Sequence, residues 1–386
     1  MIPYGRQDVS DADIAAVVRV LLSDYLTQGP VVPQFEKAVA ARVGAGHAVA
    51  VSSATAALHV ACRALGLGPG DLLWTVPNTF VASANCGRYC GADVDFVDID
   101  DRTWNISVPK LADKLAASKA AGRLPAVVVP VHFAGQPTEQ EAIWELAREY
   151  GFRVVEDASH AIGASRNGEP VGSCRWSDIA VFSLHPVKII TTGEGGVALT
   201  NDAAIAERMA TLRTHGITRD SHRFVGGRHE PWRYEQHELG FNYRMTDVQA
   251  ALGASQLTRL DEFVERRNVL ARRYDEKLRD LPLQRPFVDS ANRSAFHLYV
   301  VRVIDGAVHE AVFTQLRQAG IGVNVHYTPV HLQPYYRDLG FAPGMCPVAE
   351  AYGESAITLP LFPSLTESEQ SQVIDALAYT LQSVAC

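Results

Sequence analysis

The sequence predicts an α/β fold, with a large domain built on a mainly parallel, mixed sheet between helices and a smaller α+β domain after it. Three observations carry that prediction. Apolar strand-like runs alternate with helix-like runs from about residue 47 to residue 156, the pattern of a sheet covered by helices on both faces. The polar residues of this stretch fall after the strands: Ser53 and Thr55 after one, Asn78, Thr79 and Phe80 after the next, His132 after another, Asp157 and His160 after the last. Ligands of such sheets gather at those carboxyl ends. From about Pro282 the texture changes to strands, a helix and a proline-rich tract.

The elements follow in order. Ser10-Asp11-Ala12-Asp13 reads as a capping box opening a helix to about Leu22, which the turn chemistry of residues 26–30 ends. A second helix over 33–43 leads into a strand at 47–51. Small hydroxylated residues then open a helix to about Leu65, either as ordinary N-caps at Ser53 or Thr55 or as an anion site made by free N–H groups and the dipole. Strands are expected at 72–76, 94–99, 126–131 and 152–156, with helices at 79–89, 108–121 and 138–150 between them. Residues 201–212 read as helix, and residues 214–238 as a polar loop rich in histidine and arginine. Thr246 or Asp247 caps a long, broken helix to about Leu278. A strand at 295–303, a helix at 308–319 and a last helix from Thr366 to about Leu381 complete the chain.

Composition narrows the function. The 386 residues, 47% hydrophobic and 20% charged, suit a soluble globular protein of more than one domain. No run approaches the roughly 18 apolar residues of a membrane span, and the start lacks the regions of a secretory signal. A formal charge of −8 argues against nucleic acid as a partner. The six scattered cysteines, Cys62, Cys86, Cys90, Cys174, Cys346 and Cys386, suit reduced, buried thiols and a cytoplasmic location. Glycine runs at 66–70 and 193–196 match neither dinucleotide nor P-loop patterns.

The chemistry centres on VFSLHPVKIITTGEGG, residues 181–196. A lysine taken alone is a solvated cation. Lys188, however, lies between a buried strand at 179–183 and a glycine-rich turn, where an amine can lose its proton and form a Schiff base. With a phosphate-compatible helix start at 53–57 and a carboxylate, Asp157, on the same sheet edge, the set matches what pyridoxal 5′-phosphate requires: an anion cup, an acid at the pyridine nitrogen and a lysine.

On the runs SATAAL (53–58), PNTFVASAN (77–85), PVHFAGQ (130–136), EDASHAIGA (156–164), 183–196 and GFNYRMTDVQA (240–250), the chain resembles the DegT/DnrJ/StrS-type nucleotide-sugar aminotransferases, fold-type I enzymes that use pyridoxal phosphate. The resemblance implies that Lys188 binds the cofactor, Asp157 pairs with its pyridine nitrogen, His160 sits near its ring hydroxyl and Phe80 stacks on its ring. It further implies phosphate contacts from Thr55, the Ala56 backbone and Ser183, and from Asn242 of a second subunit, hence a homodimer with shared sites. The large domain would span 10–246, and the linking helix with the small domain 247–386, joined by residues 1–9.

Within the family, residues 4–7, 26–30 and 183–196 look most like the transaminase branch of pseudaminic acid synthesis. That implies transfer from L-glutamate to C4 of a UDP-linked, N-acetylated 4-keto-6-deoxy sugar. Leu184 departs from the phenylalanine commoner in that branch. Tyr4, Arg6, His185, His326 and Tyr327 are candidates for the sugar nucleotide, and Arg213 or Arg228 for its diphosphate or the donor carboxylate. The alternatives are another keto-sugar nucleotide (dTDP- or GDP-linked, or 3-keto), a dehydratase of the same fold, which Lys188 contradicts, and a non-catalytic regulator.

Overall fold

The computed structural model describes residues 1–225 and 230–384. Arg228 and Cys386 therefore lie outside the described residues. Along the chain, α1 (Asp11–Leu21) and α2 (Val31–Val43) precede β1 (His47–Val51), α3 (Ala54–Ala64), β2 (Leu72–Thr75), α4 (Ala82–Tyr89) and β3 (Asp93–Phe96). Then come α5 (Val108–Ala120), β4 (Val127–Val129), α6 (Gln140–Tyr150), β5 (Arg153–Asp157) and the short pair β6 (Ser165–Arg166) and β7 (Glu169–Pro170). The strands β8 (Ile179–Ser183) and β9 (Gly196–Thr200) are followed by α7 (Ala203–Leu212), β10 (Ile217–Thr218) and β11 (Glu235–Gln236). The rest comprises α8 (Asp247–Leu257), α9 (Leu260–Lys277), β12 (Leu283–Gln284), β13 (Asn292–Arg293), β14 (Tyr299–Val303), α10 (His309–Gln318), α11 (Pro334–Arg337), α12 (Pro347–Gly353), β15 (Ala356–Leu359) and α13 (Glu367–Val384).

Seven strands form the main sheet in the order β1-β9-β8-β5-β4-β2-β3. The pairs from β8 to β3 are parallel, whereas β9 runs antiparallel to both β8 and β1. One strand thus opposes six. The strands β4, β8 and β9 are buried at every position, as β-branched runs covered on both faces should be. Helix α3 is lined with alanine and buries eight of its residues, so it lies close against the sheet. A second sheet, β12-β14-β15, is antiparallel and packs with α9, α10 and α13 around Tyr274, Tyr299 and Leu377.

Several caps stand where the sequence places them. Ser10 and Asp13 close a capping box on α1, Thr246 and Gln249 close one on α8, and Thr366 with Glu369 starts α13. The break expected in the long helix after residue 246 falls between α8 and α9. Other expectations shift. The helix expected from Thr79 begins at Ala82, because residues 77–81 form a turn with Thr79 N–H donating to the Pro77 carbonyl. The strand expected from Ala295 begins at Tyr299. Upstream of it, the Phe296 and His297 carbonyls turn to accept from the buried guanidinium of Arg267, and Ala295 and Leu298 bond the backbone at Gly135 and Ala134. The loop read over 214–238 carries the short pair β10–β11.

The sequence reading has no strand at 196–200, where β9 lies. Gly196 admits it: a Cβ there would meet the backbone of Ser53 and Ala54 at 2.6 Å. The N-terminal segment also joins the far end of the chain. Ile2 pairs with Ile321, Gly322 N–H donates to the Ile2 carbonyl at 2.6 Å, and Leu361 N–H donates to the Tyr4 carbonyl at 3.0 Å.

Gly196→Ala is expected to destabilise the protein by about 1–3 kcal/mol through overpacking, read as a lower urea midpoint at unchanged slope. An unchanged midpoint would show that β9 and α3 separate freely.

Candidate active site

A cavity of about 570 Å³ opens at the carboxyl ends of β5 and β8. The segment after β8 forms its floor and is tied down by its own backbone. Leu184 N–H donates to the Gly195 carbonyl at 2.9 Å, and Thr192 N–H to the Leu184 carbonyl at 3.0 Å. Lys188 N–H donates to the His185 carbonyl at 2.9 Å. From outside, Gln249 Nε2 donates to the Glu194 carbonyl at 2.8 Å. The glycines have separate uses. Gly193 takes a left-handed φ of +79°, while a Cβ on Gly195 would collide with the Thr192 side chain and with Met245 Cε at 2.7 Å.

Lys188 points into the cavity, with Nζ 3.4 Å from His297 Nε2. Burial pushes its amine down to about 8, opposed by the charge of Asp157. Asp157 ends β5, is buried, and also faces the cavity. Its Oδ2 accepts the Ser83 hydroxyl at 2.6 Å and its Oδ1 accepts Ser159 N–H at 3.1 Å. At a third wall, Ser53 caps α3 by accepting Ala56 N–H at 3.1 Å. The first-turn N–H groups of Ala54 and Thr55 lie beside that cap, where a helix attracts an anion.

Three imidazoles surround the amine. His160 Nδ1 accepts Ala134 N–H at 3.2 Å, which leaves Nε2 to carry the proton of the neutral ring and donate to Tyr327 Oη at 3.2 Å. The His297 ring lies tilted against that of His160, their centres 4.5 Å apart. Burial and the neighbouring Lys188 push both rings well below the ordinary histidine value, and lower His326 to about 3. All three are neutral at physiological pH. Burial raises the Tyr327 phenol in the same way. A buried titratable amine, a hydrogen-bonded carboxylate and a helix start in one cavity fit a phosphorylated aldehyde with a basic ring nitrogen.

Lys188, Asp157, His160, Ser183, Thr55, Phe80, Tyr4, His185, His326 and Tyr327 all line this one cavity. Phe80 stands at the rim, 59% exposed. Four expected residues do not line it. The Ala56 N–H is already taken by Ser53, so the uncommitted donors of this turn belong to Ala54 and Thr55. Arg6 is exposed near Glu369. Asn242 is exposed and pairs with Thr214. Arg213 binds Glu36 and the Ala50 carbonyl instead, an ion pair that holds it away from the cavity. Sequence reading missed His297 and Ser83. The one signal for His297 is a histidine inside an otherwise apolar run, 295–301.

The profile of the DegT/DnrJ/EryC1/StrS aminotransferase family matches residues 7–378. The spore coat polysaccharide biosynthesis protein SpsC of Bacillus subtilis (strain 168) is 39% identical over 383 residues, covering 97% of this chain and 96% of its own. Among solved structures, Helicobacter pylori PseC, an aminotransferase involved in the biosynthesis of pseudoaminic acid, superposes with a TM-score of 0.90 at 29% identity, covering 99% of each chain. The PLP-form of Spr1654, a putative sugar aminotransferase from Streptococcus pneumoniae, gives 0.90 at 29% identity and 99% of each chain.

Only an unprotonated amine is acylated, and the folded chain releases the Lys188 proton earlier than the unfolded one. Acylation of Lys188 in the cofactor-free protein by a small reagent, followed by mass spectrometry, is expected to rise with pH through a midpoint near 8, against 10.5 for an ordinary lysine. A midpoint near 10.5 would show a hydrated amine.

Proposed function

The chain belongs to the DegT/DnrJ/EryC1/StrS aminotransferase family and is a pyridoxal phosphate-dependent sugar aminotransferase, and on that premise we propose that it transfers the amino group of L-glutamate to C4 of a UDP-linked, N-acetylated 4-keto-6-deoxy sugar. The observation that carries this reading is the meeting of Lys188, Asp157 and the start of α3 around one cavity. The likeness to PseC supports the sugar class. The same reading divides the chain into a large domain over 10–246 and a smaller one over 247–386 with residues 1–9.

Bound there, the cofactor supplies an aldehyde carbon that accepts and returns the amino group, and a ring that draws off electrons. In our reading Asp157, held on both oxygens by neutral donors, faces the pyridine nitrogen and keeps it protonated. The Ala54 and Thr55 N–H groups, with the Thr55 and Ser183 hydroxyls, would hold the phosphate. With the cofactor bound, Lys188 would be the base placed to take the proton from the Cα of glutamate and the acid placed to deliver one to C4 of the sugar. His160 and Tyr327 brace one wall as neutral hydrogen-bonding groups, and Phe80, at the rim, would cover the face of the cofactor ring. Tyr4, His185 and His326 are left to meet the sugar nucleotide.

Asn242 enters from a second copy in this reading. It does not line the cavity of its own chain, and an apolar stripe of Ile14, Val18, Leu21, Leu22, Tyr25 and Leu26 stands 44–83% exposed on the single chain, the character of a surface that another subunit covers.

Supplied with glutamate and a panel of 4-keto and 3-keto sugar nucleotides, the protein is expected to release 2-oxoglutarate with the UDP-linked 4-keto substrate, and Lys188→Ala is expected to be silent. Turnover by Lys188→Ala would overturn the assignment; release with only a 3-keto sugar would overturn the regiochemistry. Mixing inactive Lys188→Ala with Asn242→Ala chains is expected to recover up to about a quarter of the parent activity, since half of random dimers are mixed and each holds one intact site. No recovery would place Asn242 in its own subunit's site.

A further inference from the structure

We propose that Ser83, backed by Thr79, is the positioning residue for Asp157: a chain of two hydroxyls fixes the carboxylate against the cavity without neutralising it. The proposal rests on the cofactor reading above.

Ser83 is fully buried in the first turn of α4, and its Oγ lies 2.6 Å from Asp157 Oδ2, across 74 residues of sequence. The ordinary alternative for a helical serine is to donate back along its own helix. Here that option is the Phe80 carbonyl at 3.4 Å, and a short bond to a carboxylate outweighs it. A serine hydroxyl has one proton. Having given it to Asp157, Ser83 must accept from Thr79 Oγ1, which lies 2.8 Å away and is also buried. Both hydroxyl dipoles therefore point at Oδ2, while Ser159 N–H holds Oδ1.

Neutral donors matter for what Asp157 has to do. An arginine in the place of Ser83 would fix the carboxylate equally well, but it would use up the negative charge that a cationic ring nitrogen needs. The segment between β2 and α4 also reaches the opposite wall of the site, because Asn78 Oδ1 accepts Tyr327 N–H at 3.3 Å and Phe80 stands at the rim. One turn thus sets the acid, a wall tyrosine and the ring-stacking position together.

The test compares Ser83→Ala, Ser83→Thr and Thr79→Val with the parent, by the affinity of the apoprotein for pyridoxal phosphate, the induced circular dichroism of the bound cofactor and the split between kcat and KM. Ser83→Ala is expected to weaken cofactor affinity about tenfold, to change the dichroic band and to lower kcat at an unchanged KM for the amino donor. Ser83→Thr should restore all three, and Thr79→Val should give a smaller loss of the same kind, which decides the matter if Ser83→Ala does not fold. Parent-like affinity and dichroism in both Ser83→Ala and Thr79→Val would overturn the proposal while leaving the aminotransferase reading intact. A parent protein that takes up no pyridoxal phosphate would overturn that reading itself.

Discussion

An ammonium group taken out of water must be matched by charge or give up its proton, and the surroundings of Lys188 follow from that constraint. Asp157 is the one cavity carboxylate whose charge supports the amine. Every other ionisable neighbour yields: His160, His297 and His326 are held neutral by burial and by the lysine itself. Beneath them Arg267, wholly buried and bound to three carbonyls, adds positive potential at His297. With the imidazoles neutral, the groups left to attract a phosphate in a chain of net charge −8 are the Ala54 and Thr55 N–H groups at the start of α3.

The sheet gives this chemistry a fixed frame. Parallel strands bring Asp157 and Ser183 to one edge, and the single opposing strand β9 returns the lysine segment against α3 through Gly196. The amine and the helix start are therefore parts of one packed unit. A segment running off into a loop would have left Lys188 adjustable; the bonds from Leu184 to Gly195 and Thr192 close it at its base.

Much of this was legible in the sequence because its signals are local. The boxes at Ser10–Asp13 and Thr246–Gln249 need only three residues of spacing, and the β-branched runs of β4 and β8 declare burial directly. Asp157 and Lys188 were legible because polar residues stand where strands end. What escaped depends on distant partners. Arg213 reads as a free cation until Glu36 is found beside it. Ser83 reads as one of the small residues that open its helix until a carboxylate 74 residues away is found to accept its hydrogen bond. The late start of β14 depends on Arg267 claiming two carbonyls from another element, and β9 was hidden because its first residue looks like part of a turn.

The N-terminal segment carries a consequence for the order of assembly. Tyr4 forms part of the cavity wall and packs 5.3 Å from the His326 ring, yet the backbone that seats it belongs to residues 320–322 and 361. A ribosome makes Tyr4 more than 300 residues before its support emerges. During synthesis the sheet edge with Asp157 and Lys188 precedes the wall that completes it, so Tyr4 can be seated only after residues 320–361 have left the ribosome.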